Sequence, residues 1–253
     1  MCVGPNRRNA GFSLVELLCV LAIMSLITAI AVPAFTTVKD ADNVTNASYT
    51  VSITLQRART YAMAHNTYVW VGFYEEAADA PAPTNVFPYS GMGRIVIGLT
   101  ASIDGSPIFA PNATAAALPA SRLVQIDKLI RVQNIHITDL GAPATGATSG
   151  VAARPNGAYN NNGTISSTEL YGINSDSTTE QTPYPFTIGS YTFYKTICFS
   201  PSGEASIDGS TFLRRVGEIG LRPTHGRTLN PNTPNVAAIQ FTGIGGGVQT
   251  YRN

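Results

Sequence analysis

The chain has 253 residues, of which 12% are charged, about half the share that is usual in soluble domains. Sixteen basic and fifteen acidic residues give a formal charge of +1, which excludes a strong electrostatic field directed at nucleic acid. Hydrophobic residues make up 44% of the chain, so a wholly disordered protein is excluded as well. The mean hydropathy of +0.07, with 23 glycines and 16 prolines, favours an apolar segment joined to a polar, β-rich remainder.

An apolar stretch, residues 12–32, follows a short polar leader that contains Arg7 and Arg8. As an α-helix it would reach about 31 Å, the thickness of a bilayer core. The two arginines before it, with Lys39 and two acids behind it, predict a cytoplasmic N-terminus by the positive-inside rule. We therefore expect a single pass through the inner (cytoplasmic) membrane and a C-terminal part in the periplasm or otherwise outside the cytoplasm.

Glu16 interrupts this apolar stretch. A carboxylate at the centre of a bilayer costs about 2.5–3.5 kcal/mol on insertion scales, so Glu16 needs a reason to be there. One interpretation is that it lies about one turn from the polar edge and reaches the headgroups. The other is a cationic partner, for which a free amino group made by cleavage near Phe12 on a neighbouring helix would serve.

A specific motif opens the stretch: Gly11-Phe12-Ser13-Leu14-Val15-Glu16. Behind a basic leader, it resembles the cleavage and methylation signal of type IV prepilins. The resemblance implies that a prepilin peptidase cuts between Gly11 and Phe12, that Phe12 is then N-methylated, and that Glu16 directs assembly. Pro33 matches the helix-kinking proline of many pilins. The implied partners are other pilin or pseudopilin subunits, the inner-membrane assembly platform and membrane lipid.

A second cleavage site competes with the first one. Ala29-Ile30-Ala31 fits a signal-peptidase site, and cleavage there would make residues 1–31 an ordinary secretory signal. That alternative leaves Glu16 unexplained. The mature N-terminus separates the two possibilities, because a prepilin starts at methyl-Phe12 and a secreted protein at Val32.

An amphipathic pattern follows Pro33. Apolar residues recur at steps of three or four and predict one helix face: Phe35, Val38, Ala41, Val44, Ala47, Val51, Leu55, Ala58 and Ala62. The pattern predicts a helix from Phe12 to about Ala64 that bends at Pro33 and packs its second half on a sheet. Two helices divided at Pro33 are the alternative.

Stretches dense in β-branched and aromatic residues predict the strands: residues 66–75, 94–103, 128–137, 191–199, 212–221, 236–241 and 248–251. Within the third of these, a helical turn over residues 121–129 is an alternative. Two long stretches, residues 76–92 and 140–185, are predicted to be insertions because they are rich in proline or in small polar residues.

The predicted fold class is α+β and pilin-like: a long N-terminal α-helix, transmembrane in its first half, packed on a C-terminal antiparallel β-sheet domain with long loop insertions. The predicted divisions are a leader at 1–11, a transmembrane and assembly helix at 12–33, an amphipathic helix at 34–65 and an extracytoplasmic β-rich domain at 66–253.

The predicted domain also resembles particular pilin groups. Cys198-Phe199-Ser200-Pro201-Ser202-Gly203 is similar to a hairpin of the H-type minor pseudopilins (GspH) and FimT-like pilins, as residues 56–62 are to their late helix. Residues 68–76 resemble the prepilin-type cassette protein D of the Verru_Chthon group. Some FimT-like members bind DNA through a C-terminal glycine and arginine cluster. That cluster is missing here, so no nucleic-acid partner is expected.

No motif for catalysis or for a cofactor is found. The three histidines lack ligand spacing, and zinc, thiol-pair and phosphate-loop motifs are absent, so we predict a protein that is not an enzyme and needs no cofactor. No metal site is assigned, although calcium stays an open alternative at four alternating oxygen donors without the EF-hand glycine: Asn174, Asp176, Thr178 and Glu180. Cys198 is predicted to be a buried strand residue without an intrachain disulfide.

The predicted function is a structural one: a minor pilin or pseudopilin of a type IV pilus or a type II secretion filament, assembled through its N-terminal helix. The alternative is a membrane-anchored or secreted β-rich binding module that does not polymerise.

Overall fold

The structure is a computed structural model that describes residues 13–80, 91–108, 117–140, 151, 154, 158–159, 165–166, 171–173, 175, 184–207, 216–229 and 233–252. The chain divides into two compact units, Met1–Lys39 and Asp40–Asn253. The second unit is called the body below.

One α-helix, α1, spans Leu14–His65. It is a single element, as predicted, and it ends one residue beyond the expected position. Asn66 follows it with a φ of +49°, in the left-handed region that asparagine tolerates better than most residues. The Thr67 amide then donates to the Ala62 carbonyl at 3.0 Å, the Schellman bond that satisfies a terminal carbonyl of the helix.

The part of α1 within the body buries one face. Six of the predicted face residues are wholly buried: Val44, Ala47, Val51, Leu55, Ala58 and Ala62. Phe35 and Val38, predicted to share that face, are instead 68% and 59% exposed. The repeat of apolar residues alone predicted that face, and burial does not follow from it for these two side chains.

The strands described in the body are β1 (Val69–Ala77), β2 (Gly93–Ser102), β3 (Leu123–Gln125), β4 (Ile130–Gln133), β5 (Ile135–Thr138), β6 (Ala158–Tyr159), β7 (Ile165–Ser166), β8 (Tyr171–Ile173), β9 (Phe186–Ile188), β10 (Tyr191–Phe193), β11 (Lys195–Phe199), β12 (Ala205–Ser206), β13 (Val216–His225), β14 (Thr228–Leu229), β15 (Ala237–Thr242) and β16 (Val248–Arg252). A short 3-10 helix, Ala120–Arg122, precedes β3.

The first sheet has the order β12-β11-β1-β2-β3, with β4 also paired to β2. Its central strand β1 is buried on both faces, which explains its unbroken run of apolar and aromatic residues. Val69, Val71 and Phe73 face one hydrophobic cluster. Trp70 and Tyr74 face a second cluster on the other side of the sheet, where β9 and β10 form a separate ribbon.

The second sheet has the order β14-β13-β15-β16, and β13 also pairs with β5 and β8. Instead of the expected single antiparallel sheet, the described strands form two six-stranded sheets and two two-stranded ribbons, and β8 runs parallel to β13. Because β8 lies within residues 140–185, that stretch is not wholly an insertion. Its Ile173 is completely buried in the core.

Two predicted strands are divided in the structure. Residues 128–137 separate at Asn134, whose φ of +57° breaks the extended backbone, so β4 joins the first sheet and β5 the second. Residues 191–199 separate at Tyr194 into β10 and β11. The described part of the strand predicted at 212–221 begins at Val216, and it runs on to His225.

The main core lies between the helix and both sheets. It joins the buried face of α1 to inward side chains of the first sheet, such as Ile97 and Ile197, and of the second sheet, such as Ile219 and Ile239. The helix therefore packs on two sheets at once. This arrangement confirms the α+β fold with a long N-terminal helix.

Candidate functional site

The apolar segment, residues 14–30 of α1, buries none of its large apolar side chains. Every large apolar side chain in it is between 45% and 74% exposed, from Val20 to Leu14. A helix that is apolar all round is stable when lipid or other helices surround it. Among the described residues, α1 is the one helix long and apolar enough to cross a membrane.

The polar side chains of the apolar segment differ in how they are satisfied. Ser25 donates to the Ala22 carbonyl at 2.8 Å, and Thr28 donates to the Met24 carbonyl at 2.7 Å. Both hydroxyls are thus satisfied by their own helix, as is usual for serine and threonine in apolar helices. Glu16 makes no hydrogen bond or ion pair with any residue that the structure describes. It is the one polar group of the segment that still needs a partner.

The other residues of the predicted processing and assembly site lie mostly outside the described part of the chain. Gly11 and Phe12 precede the first described residue. Pro33 lies within the bounds of α1, but its side chain is outside the described residues, so the bend there stays a prediction.

Glu75, at the end of β1, is a buried carboxylate with a full set of donors. Its two oxygens lie 2.9 and 3.0 Å from Nδ1 of His136, and the amides of Gly93 and Ile137 donate to them at 3.1 and 3.3 Å. An Nδ1–H of His136 can donate to either oxygen. Because His136 lies on β5, this group ties the first sheet to the second.

Two further carboxylates are buried and paired in the body. Glu76 accepts from Arg94 Nε at 2.7 Å and from the Tyr191 hydroxyl at 3.1 Å. Glu218 accepts from Arg154 Nε at 2.7 Å and from the Gln240 amide at 2.8 Å. Each carboxylate already has its partners, which is the arrangement expected of groups that hold a fold together.

A cleft of about 620 Å³ lies at the C-terminal end of α1. The rings of Tyr61 and His65 stack there with centroids 4.1 Å apart. Asp104 lines the same cleft, and hydrogen bonds from Ser106 and Arg122 hold the pKa of its carboxyl group well below the usual range. The carboxylate is therefore already paired, with Ser106 of its own loop and with Arg122 of the 3-10 helix.

Metal and thiol chemistry find little support in the described residues. No group of three His, Cys, Asp or Glu side chains comes together there as a metal site. The four residues considered for calcium, Asn174, Asp176, Thr178 and Glu180, lie outside the described residues. Cys198 is buried in β11, as predicted, and its burial raises the pKa of the thiol.

Sequence reasoning did not single out the buried pairs. Glu75 and His136 are 61 residues apart, and Arg154 and Glu218 are 64 residues apart, so no local spacing connects them. Arg154 also lies within residues 140–185, which were predicted to be an insertion. The one available signal is the pair of glutamates at the end of the apolar run of β1.

A family model supplies the deciding comparison for the N-terminus. The model of the prokaryotic N-terminal methylation motif matches residues 6–32. This match supports a type IV pilin-like prepilin. Comparisons with curated proteins and with solved structures give no match.

The matched range contains Gly11, Phe12 and Glu16, so it supports processing by a prepilin peptidase and assembly with other pilin subunits. Together with α1 it supports a membrane-anchored protein with a single pass. A motif of this type suggests a structural role rather than an enzymatic one.

Proposed function

We propose that this chain is a minor pilin or pseudopilin that is incorporated into a type IV pilus or a type II secretion filament. It is inserted with its N-terminus in the cytoplasm, cut between Gly11 and Phe12, methylated on Phe12 and polymerised through the apolar segment. The β-rich body stands outside the cytoplasm.

The observation that carries the proposal is the contrast within the apolar segment. All its large apolar side chains are exposed, and its hydroxyls are satisfied, yet Glu16 has no partner within the described residues. A lone carboxylate in apolar surroundings needs a cation, and a methylated amino group at Phe12 of a neighbouring subunit supplies one.

This pairing defines an axial register between neighbours. Phe12 and Glu16 are four positions apart, which is about 6 Å along an α-helix. A neighbour displaced by about that distance along the axis brings its amino group level with the carboxylate. The same displacement keeps apolar side chains against apolar side chains, so helix packing and charge pairing favour one arrangement.

The body offers apolar side chains of its own for such packing. Tyr49, Ile53 and Met63 on α1 are 70%, 42% and 48% exposed. At 100° per residue they fall within one stripe on the side of the helix opposite the buried face. This stripe supports contact between helices of neighbouring subunits beyond the membrane as well as within it.

The assignment to a particular group rests on the body. The turn after β11 contains Pro201 and Gly203, with the Gly203 amide donating to the Ser200 carbonyl at 2.9 Å. This hairpin supports the resemblance to the H-type minor pseudopilins and FimT-like pilins. A narrower form of the same proposal assigns the chain to the cassette protein D group of Verru_Chthon, on the likeness of β1 to that protein.

Replacing Glu16 tests the proposal. The variant Glu16→Ala is expected to be cut normally, with methyl-Phe12 as its first residue, but to enter the filament at least about tenfold less than wild type. A charge-assisted hydrogen bond contributes about 1.5–3 kcal/mol, which corresponds to that factor. N-terminal sequencing measures the cut, and the sedimentable fraction of sheared or detergent-treated cells measures incorporation.

Thr28→Val is the matched control, because Thr28 is polar, lies in the same segment and bonds its own helix. It should assemble as wild type does. A mature N-terminus at Val32 contradicts the proposal and makes residues 1–31 a secretory signal. Normal cleavage with no assembly of the wild type favours the non-polymerising binding module.

A further inference from the structure

The cleft at the C-terminal end of α1 has no role in the proposed function. Its volume of about 620 Å³ is within the range of small-molecule sites. Three elements form its walls: the last turn of α1 with Tyr61 and His65, the end of β2 with the turn behind it (residues 101–105), and β3 with Leu123 and Val124. All of them belong to the body, so the cleft lies within one compact unit.

Hydrogen bonds between these elements hold the walls of the cleft in place. The Thr67 hydroxyl donates to the Ser102 carbonyl at 2.8 Å, which fastens the end of the helix to the end of β2. The Ile103 amide donates to the Arg122 carbonyl at 3.0 Å, which holds the turn beside β3. A site whose shape is fixed before the ligand arrives loses less conformational entropy on binding.

The cleft presents apolar surface that the fold leaves uncovered. Ile103 and Val124 are 62% and 45% exposed. Beside them, the stacked rings of Tyr61 and His65 form an aromatic wall, in which His65 is exposed and Tyr61 half-buried. Aliphatic and aromatic surfaces of this kind are covered favourably by the CH groups of a ligand.

Three polar side chains of the cleft have no partner among the described residues. The Tyr61 hydroxyl, the His65 imidazole and the Asn66 carboxamide make no hydrogen bond or ion pair there. Each of these groups, with the imidazole neutral, can both donate and accept a hydrogen bond. A hydroxyl group has the same two capacities, so the three side chains match a ligand that carries several hydroxyl groups.

The charge within the cleft is already paired. Asp104 is the one carboxylate among the described residues that line it, and Arg122 donates to this carboxylate at 2.8 Å. The hydroxyls of Ser102 and Ser106 donate to its other oxygen at 2.9 and 2.7 Å. Among these residues a charged ligand finds no unpaired countercharge, so the cleft favours a neutral ligand.

We propose that this cleft binds a neutral saccharide. The stacked rings and the two aliphatic side chains contact the CH face of a sugar ring, while Tyr61, His65 and Asn66 exchange hydrogen bonds with its hydroxyl groups. An extended peptide fits less well, because it needs a long free strand edge and the strand beside the cleft, Leu123–Gln125, has three residues. Such binding does not require assembly, and it gives the subunit a ligand beyond its proposed structural role.

Saturation-transfer difference NMR on the purified full chain tests the proposal. The chain is kept in a detergent without a sugar headgroup, because a glucoside or maltoside detergent would compete for the cleft. The probes are four neutral disaccharides at millimolar concentration: cellobiose, lactose, mannobiose and N,N′-diacetylchitobiose. At least one of them should give transfer signals, strongest for the ring CH protons that contact the aromatic wall. The absence of signals from all four overturns the proposal.

Two variants and a matched control locate the binding site. Asn66 has a φ of +49°, so Asn66→Gly keeps the backbone conformation and removes the carboxamide. His65→Ala removes an exposed ring. Each variant should weaken binding about threefold to tenfold, the effect of one lost hydrogen bond. Asn134→Gly is the control, because Asn134 has a similar φ of +57° and does not line the cleft. It should bind as wild type does.

Two results would contradict the assignment. Equal binding by the wild type, Asn66→Gly and His65→Ala places the saccharide outside the cleft and overturns the site. An uncharged tripeptide with a central isoleucine is measured beside the sugars. If the tripeptide alone binds and Asn66→Gly weakens it, the cleft is a peptide site and the saccharide proposal fails. Neither result bears on assembly, which Glu16→Ala tests separately.

Discussion

The two ends of α1 show the same secondary structure stabilised by different surroundings. Within the body, α1 buries six apolar side chains completely against two sheets. In the apolar segment, the large side chains are all exposed. The described part of the body therefore covers its own helix face, whereas the large apolar side chains of residues 14–30 stay uncovered. Under the proposed function, lipid and then neighbouring helices cover those side chains.

Two glutamates, one in the body and one in the apolar segment of α1, differ in the same way: one carboxylate has partners within the chain and the other has none among the described residues. Glu75 lies in the body with His136 and two backbone amides around its carboxylate. Glu16 lies in the apolar segment with no donor among the described residues. Both are carboxylates in apolar stretches, and the one without internal donors is the one that the proposed function pairs with a group outside the chain.

The largest expected effect comes from replacing each of these two glutamates by alanine. Glu75→Ala removes the carboxylate that His136 and two buried amides share, and it should lower the free energy of unfolding of the body by about 3–5 kcal/mol. Glu16→Ala should leave that free energy unchanged. Denaturant titration of the purified full chain in detergent, followed by tryptophan fluorescence from Trp70, measures both. Equal stability of the two variants breaks the comparison.

A smaller effect is expected from a pair of leucines. Leu55→Ala removes a wholly buried side chain from the main core and should cost about 2–5 kcal/mol in the same titration. Leu21 is 55% exposed, so Leu21→Ala should leave the body as stable as wild type. A loss for Leu21→Ala comparable with that for Leu55→Ala would mean that the apolar segment is part of the body's own core.

The smallest effect concerns an exposed carboxylate, Asp104. Hydrogen bonds from Ser106 and Arg122 lower its pKa in the folded state, whereas the unfolded value is about 3.9. A lowered folded pKa gives stability that is present above the unfolded pKa and lost as the pH falls toward the folded one. Wild type should therefore exceed Asp104→Asn in stability at neutral pH, and the difference should narrow below about pH 4. A difference that stays constant from pH 6 to pH 3 contradicts this assignment.

The secondary-structure elements that could be predicted are those that depend on the local residue pattern. The length of α1 follows from its apolar periodicity, and β1, β2 and β15 follow from runs of β-branched and aromatic residues. The separation into two sheets could not be predicted, because it depends on one residue, Asn134, adopting a left-handed conformation within an otherwise strand-like run. Whether β5 then joins the second sheet is decided by tertiary packing.

The residues of the candidate site also differ in whether local sequence reveals them. Glu16 could be singled out from the sequence because a charge within an apolar stretch is visible without any partner, and its role stays a prediction. Glu75 could not, because its environment is made by residues more than sixty positions away, such as His136. Sequence patterns therefore predict a group that lacks a partner inside the fold better than one whose partners are supplied by folding.

The position of β16 has a consequence for the order of events during synthesis. Arg252 donates to Thr45 at 2.8 Å, and Thr250 contacts Ser52 at 2.8 Å, so this strand lies along a flank of α1. Those contacts join residues about two hundred positions apart. The flank of the helix therefore stays uncovered until residues 248–252 have left the ribosome, and the body reaches its final form late.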